Sequence, residues 1–236
     1  MSCLRCCCVR KKQAKIRTSS EILGELGFTV DRWMSRGRVA KVRKRNTAFV
    51  CRIATSAAAA EKERNVLHAL VGCKHVPLVV STNAMPRCVM YTYIPGVNLH
   101  QLTVSSHAVF GTTLQHYFKR IASAIAFAHA RRVAHLDVKP ENIVIRNDGV
   151  PVVIDWEYAI RVANEFELVQ LSSKRGTTHY MAPEMQREAK AGCPSDIWSL
   201  AKTYEACTKA TLTVAENPAS RPTIENLFPS WSLKFI

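Results

Sequence analysis

Acid is scarce in this chain. Eighteen aspartates and glutamates face 33 lysines and arginines, for a net charge of +15. The shortage is total in two stretches: residues 1 to 20 hold six Lys/Arg and no acid, and residues 32 to 52 hold eight and none. A surface so one-sided demands anionic partners, and ATP, an acidic substrate, nucleic acid and anionic lipid all qualify. Long apolar runs are missing too. Nothing approaches the ~20 residues that span a bilayer, and no apolar core follows the basic start, which argues against a secretory signal. The nine cysteines, odd in number and mostly scattered, are then expected as free thiols in a reducing compartment. Periodic repeats and Gly/Ser linkers are absent, against an array or a flexibly tethered pair. With 47% hydrophobic residues in 236, the chain still has the material for a substantial core.

Residues 1 to 20 read as a basic, cysteine-rich tail, in which Cys3, Cys6, Cys7 and Cys8 precede Arg10, Lys11 and Lys12. One reading is S-acylation backed by a polybasic patch, a two-signal attachment to a membrane surface. The other is a solvated basic tail or a nuclear-import stretch. Ser2 excludes myristoylation, and the Cys3/Cys6 hint of zinc has no second Cys/His pair nearby. Further on, residues 36 to 54 look like two short strands around a turn at Arg45-Asn46-Thr47. Residues 57 to 71 favour a helix ending near Gly72. Residues 87 to 94 read as a strand broken by Pro95-Gly96. From His116 to Val133 the residues Phe118, Ile121, Ile125 and Ala128 share one helical face. Ile143 to Ile145 and Val152 to Ile154 flank Asn147-Asp148-Gly149, a hairpin signal. Ile197, Leu200, Ala201 and Tyr204 mark another helix, with Ser195 as its N-cap. The order predicts an α+β fold with a small β-rich N-lobe over 21 to 94 and a larger helical C-lobe over 95 to 236.

Three motifs carry chemistry. HLDVKPENIVI, residues 135 to 145, sets an acid, a lysine and an amide at fixed offsets: Asp137, Lys139 and Asn142. Asp155 ends the apolar run Val152-Val153-Ile154, and the intervening hairpin would bring Asn142 and Asp155 to one end of a ribbon. GTTHYMAPEM, residues 176 to 185, follows. In this order they resemble the catalytic loop, the metal-binding aspartate and the activation-segment end of a eukaryotic protein kinase. Lys139 and Thr177 match the serine/threonine class. The resemblance covers roughly residues 30 to 230 and is most specific from 133 to 200.

The resemblance implies transfer of the γ-phosphoryl group of ATP, with Mg²⁺, to a protein hydroxyl. Asp137 would accept the hydroxyl proton and Lys139 would reach the γ-phosphate. Asn142 and Asp155 would ligate Mg²⁺, which prefers hard oxygens. For the nucleotide it implies backbone contacts at Thr92 and Ile94 in the hinge, and Gly37 and Val39 in the phosphate-binding loop. Arg52 and Glu63 stand at the positions of the strand lysine and its helix glutamate, with Glu61 as the second choice for the acid. Structural roles fall to His135 and Thr177, to Glu184 with Arg221 as the staple of the activation segment, and to Asp196 beneath the catalytic loop.

The chain also departs from the family. If Gly37 is the last loop glycine, Arg32 and Met34 occupy two other glycine positions; Gly24 and Gly27 are an alternative placement. Arg52 replaces a lysine with a bulkier, planar group. Leu136 stands where most relatives carry the arginine that reads an activation-segment phosphate, so phosphorylated Ser172 or Ser173 would lack that receptor. Trp156-Glu157 replaces Phe-Gly, a stiffer turn expected to hold Asp155 in place, with Glu157 either adding to metal binding or facing solvent. Only 25 residues separate Asp196 from Arg221, a reduced C-lobe similar to those of kinases from large DNA viruses, herpesvirus-like ones in particular. Three readings stay open. The first is an active serine/threonine kinase acting on a protein substrate, an intracellular monomer of cytoplasm or nucleus, membrane-associated if the tail is acylated. The second is a pseudokinase holding nucleotide or a partner. The third, a nucleic-acid or lipid binder, rests on charge alone and is not expected as the primary role.

Overall fold

The first helix begins where the sequence predicts a tail. In the computed structural model, which describes residues 18–34, 38–80, 85–105 and 112–228, Thr18 and Glu21 form a capping box. The Glu21 N–H donates to Thr18 Oγ1 at 3.2 Å and the Thr18 N–H to Glu21 Oε2 at 2.7 Å, satisfying donors that a helix start leaves open. Helix α1 (Ser19–Glu25) follows, and Gly27, at φ 77°, closes it in the left-handed conformation glycine favours. Thr18, Ser19 and Ser20 thus belong to this helix rather than to a tail. Gly24 lies inside it, so the alternative placement of the phosphate loop at Gly24 and Gly27 is excluded. Cys3, Cys6, Cys7, Cys8 and Gly37 lie outside the described residues.

Strands β1 (Thr29–Met34), β2 (Val39–Lys44), β3 (Thr47–Ile53), β4 (Val79–Val80) and β5 (Cys88–Thr92) form an antiparallel sheet in the order β1-β2-β3-β5-β4. The expected turn is there: Lys44 pairs with Thr47 around Arg45, at φ 52°, and Asn46. Helix α2 (Ala57–Ala69) is capped by Ser56, whose Oγ accepts from the Ala59 N–H at 3.0 Å. It packs on β5 and buries Ala60, Glu63, Val66 and Leu67.

The second lobe runs β6 (Gly96–Asn98), α3 (Leu99–Ser105), α4 (Thr112–Ala130), β7 (Val133–Ala134), β8 (Ile143–Arg146), β9 (Pro151–Val153), β10 (Ile160–Arg161), β11 (Val169–Gln170), α5 (Pro183–Glu188), β12 (Lys190–Ala191), α6 (Cys193–Thr208) and α7 (Ile224–Leu227). Phe118, Ile121, Ile125 and Ala128 of α4 are fully buried. Each large one contributes ~1.5–3 kcal/mol, and the stripe packs against α6 and α7. Helix α4 stops at Ala130, short of the expected Val133, because Arg132 turns left-handed at φ 60°. Helix α6 starts at Cys193, so Ser195 is not its N-cap. It sits in the first turn, where its Oγ accepts from the Gly192 N–H at 3.2 Å and donates to Glu184 Oε1 at 2.7 Å. Between α6 and α7 there is one short 3₁₀ turn, Pro218–Ser220, in line with the reduced C-lobe. Among the described residues no helix is long and apolar enough to cross a membrane, and the five described cysteines are buried and form no disulfide, with Cys51 Sγ 2.7 Å from Cys88 Sγ.

Candidate active site

The loop from His135 to Asn142 is held by three fixed points. Asp196, fully buried in the first turn of α6, accepts from the His135 N–H at 2.7 Å, the Leu136 N–H at 2.8 Å and His129 Nε2 at 2.9 Å. The His135 ring accepts from the Asp137 N–H at Nδ1 (3.2 Å), so its proton lies on Nε2 and is donated to the Ile154 carbonyl at 3.0 Å. The ring meets Trp156 edge-on at 4.4 Å. At the far end, Asn142 Nδ2 donates to the Asp137 carbonyl and to Asp137 Oδ2, both at 2.9 Å. The Ile154 N–H donates to the Asn142 carbonyl at 2.8 Å, tying the loop to the segment that carries Asp155. Leu136, at φ 68°, turns its side chain into an apolar cluster with Ile160, Met181, Ala182 and Met185. The place of a phosphate-reading arginine is therefore filled by packing.

The Asp137 carboxylate is the convergence point. Thr177 Oγ1 donates to Oδ1 at 2.9 Å, and Lys139 Nζ donates to Oδ2 at 2.6 Å and to Thr177 Oγ1 at 2.7 Å. The activation segment reaches this close through Gly176. Its φ is 94°, and a Cβ there would lie 2.7 Å from the Leu136 carbonyl oxygen, a position open only to glycine. Asp155 adopts φ 63°, and its Oδ1 is buried without a hydrogen-bond partner among the described residues. Such an orphan costs ~1–3 kcal/mol unless something external meets it. Trp156 behind it is buried, with Nε1 donating to the Val153 carbonyl at 3.0 Å.

Arg52, 5% exposed on β3, lies between two carboxylates. Its Nε donates to Glu63 Oε1 at 3.2 Å and its Nη2 faces Glu63 Oε2, while its Nη1 donates to Glu157 Oε2 at 2.9 Å. Arg38 Nη2 reaches the same Glu157 oxygen at 3.4 Å. Glu157 thus does not face solvent freely, contrary to one of the two expectations, because two guanidinium groups hold its Oε2. The second choice, Glu61, is excluded: it pairs with Arg64 at 2.6 Å on the exposed face of α2. A planar guanidinium carries its N–H groups on three nitrogens and so serves carboxylates that lie apart, where an ammonium donates from one nitrogen. The Arg52 and Glu157 departures are therefore one arrangement, and their opposite charges were the available signal.

Val39 pairs with Arg52 across β2 and β3. In the hinge the Thr92 N–H donates to the Leu78 carbonyl at 3.0 Å, so that donor is not available to a ligand. Sequence reasoning passed over Tyr91, one residue before. Burial first, and then the Asp155 carboxylate, push its phenol upward, with Arg52 also close. Its position immediately before the hinge was the only clue. Farther off, Glu184 and Arg221 form a bidentate pair at 2.8 and 2.7 Å. The remaining Arg221 N–H groups go to the carbonyls of Ala215, Pro194 and Glu216, so all five donors are used.

A sequence model of the protein kinase domain matches residues 35–228. The chain belongs to the protein kinase family. Its two lobes, the sheet-rich one carrying Arg52 and the helical one carrying Asp137, are those of the kinase fold. It is 29% identical over 133 residues to a probable serine/threonine-protein kinase of Clostridium acetobutylicum, covering 56% of this chain and 20% of that protein. It is 33% identical over 141 residues to the striated muscle preferentially expressed protein kinase of Danio rerio, covering 59% and 5%. To a probable serine/threonine-protein kinase of Dictyostelium discoideum it is 28% identical over 199 residues, covering 78% and 28%. The kinase domain thus matches less than a third of the length of each of these relatives.

Proposed function

We propose that this kinase domain is an active, ATP-dependent serine/threonine protein kinase with Asp137 as the base. The observation that carries the reading is the Asp137–Lys139–Thr177 network with Asn142 bound to the same carboxylate, set beside the unpartnered Asp155 Oδ1. Asp137 would accept the proton of the substrate hydroxyl, and Asn142 Nδ2 keeps Oδ2 oriented for it. Lys139, already beside Asp137, would direct its ammonium to the transferred group.

Mg²⁺ fits the residues present. The buried Asp155 oxygen and the Asn142 amide oxygen, the atom opposite its donating nitrogen, are hard ligands of the kind Mg²⁺ combines with phosphates. No group of three His, Cys, Asp or Glu side chains able to cage a metal occurs among the described residues, which suits an ion shared with a nucleotide. Bound Mg-ATP would supply the phosphoryl group and neutralise its developing charge. Arg52 keeps two N–H groups beyond those given to Glu63 and Glu157, and these are its means of contacting phosphate.

A second reading is favoured by one observation: Arg52 is already committed to two carboxylates, as a pseudokinase that holds nucleotide would allow. The test is ³²P transfer from ATP to generic acidic and basic proteins by the wild type and by Asp137→Ala. Equal incorporation sinks the enzyme reading, and tight Mg-ATP binding without transfer establishes the pseudokinase. A monomeric intracellular enzyme, acting on protein substrates and brought to membranes by an acylated tail, completes the proposal. Descent from a large DNA virus rests on the short Asp196–Arg221 stretch alone.

A further inference from the structure

A cationic cleft of about 420 Å³ lies between α2 and the segment before Gly176. Arg38, Arg52, Lys62, Lys174 and Arg175 line it, and Glu157 is its one carboxylate. Glu157 is already bound by Arg52 and Arg38. Among the described residues no carboxylate pairs with Lys62, Lys174 or Arg175, and the Arg175 guanidinium bonds the Ser172 hydroxyl at 3.2 Å. The crowding is felt: lost hydration, and then the Arg175 charge, hold the Lys62 ammonium below the usual lysine range. Like charges gathered in this way concentrate anions from solution.

The cleft opens beside the chemistry. Arg175 is two residues ahead of Thr177, whose hydroxyl touches Asp137, and two residues of extended chain span at most ~7 Å. Tyr158, also in the wall, lies close to the same centre: burial and then the carboxylates of Glu157, Asp137 and Asp155 push its phenol upward. A peptide whose serine reached Asp137 would carry a residue two or three positions away into this cleft.

We propose that the cleft binds a carboxylate or phosphate borne by the protein substrate two or three residues from its acceptor hydroxyl, making the enzyme acid-directed. The inference rests on the kinase reading above. The competing occupant is a phosphate on the chain's own Ser173, which lies in the same wall.

The test uses the full chain and three single-serine peptides, flanked at two and three positions by Glu, Gln or Lys. The Glu peptide is expected to exceed the Gln peptide in kcat/KM by roughly 3- to 10-fold, the range of a few partly exposed charge pairs, with the preference shrinking as salt rises. In the double variant Lys62→Gln/Lys174→Gln the ratio should fall below about 2-fold. Preference for the Lys peptide, or a Glu preference unchanged in the double variant, overturns the proposal while leaving the kinase reading intact. So does a Glu preference that emerges only in Ser173→Ala, with phosphate found on Ser173 of the wild type by mass spectrometry. If no peptide is phosphorylated, the kinase reading is decided by the protein-substrate assay with Asp137→Ala, and fluorescence anisotropy of labelled Glu and Gln peptides decides the cleft. Tighter binding of the Glu peptide that is lost in the double variant supports it, and equal binding of the two overturns it.

Discussion

Arg52→Lys should weaken this protein, although it restores the residue the family resemblance calls for. The guanidinium meets Glu63, 2% exposed, and Glu157, whose side chain is 22% exposed. One ammonium can stay with Glu63 or move to Glu157, and the buried Glu63 carboxylate has the stronger demand. The substitution therefore gives up the charge-assisted bond from Nη1 to Glu157, of ~1.5–3 kcal/mol gross. Solvent and Arg38, 3.4 Å away, return part of it, so the net loss should be ~1–2 kcal/mol. For a chain of this size that lowers Tm by ~2–8 °C. Arg52→Ala, which strands Glu63 in the interior, should cost ~3–5 kcal/mol. A double-mutant cycle separates the pair: with Glu157→Gln already present, Arg52→Lys should cost ~0.5–2 kcal/mol less than alone. The measurement is urea and thermal unfolding of the four proteins by circular dichroism. A higher Tm for Arg52→Lys, or additivity of the two substitutions within ~0.3 kcal/mol, would refute the reasoning. If Arg52→Lys raised phosphate transfer from near zero while lowering Tm, the pseudokinase reading would gain.

Gly176→Ala forces a Cβ against the Leu136 carbonyl at φ 94°. Strain of ~1–3 kcal/mol and displacement of Thr177 should cut activity by roughly 100-fold with a Tm loss of only a few degrees; wild-type turnover would contradict the geometry. Arg221→Ala strands Glu184, 5% exposed, and should cost ~3–5 kcal/mol. Arg221→Lys should also fall well short, since a lysine has three donors where five are engaged, and unfolding at the wild-type Tm would count against this. His75 donates Nδ1–H to the Pro151 carbonyl at 2.8 Å, and lost hydration holds its pKa below the ordinary 6.5. Because the unfolded chain takes up this proton first, the His75 contribution is whole above pH 6.5 and is lost as pH falls through the folded value. The slope is at most ~1.4 kcal/mol per pH unit. His75→Gln should flatten stability measured between those limits, and an unchanged slope would remove His75 as its source.

The catalytic loop was legible because its parts are close in sequence. Asp137, Lys139 and Asn142 share one short stretch, and the turn chemistry of Asn147-Asp148-Gly149 sufficed to bring Asp155 back to them. The β2–β3 turn, helix α2 and the α4 stripe were legible for the same reason: periodicity and turn residues act over a few positions. The start of α1 was missed although its capping box is local, because the basic, cysteine-rich composition before it outweighed the Thr18–Glu21 signal. Ser195 was misplaced because a hydroxyl in a first helical turn resembles a cap until its acceptor, Glu184, is in view. Sequence alone therefore determined the family, the lobe order and the identity of the groups around Asp137. Tertiary structure decided what Glu157 does. Its partner Arg52 lies 105 positions away, on the other lobe, and a carboxylate's role is set by the charge that meets it when the lobes come together.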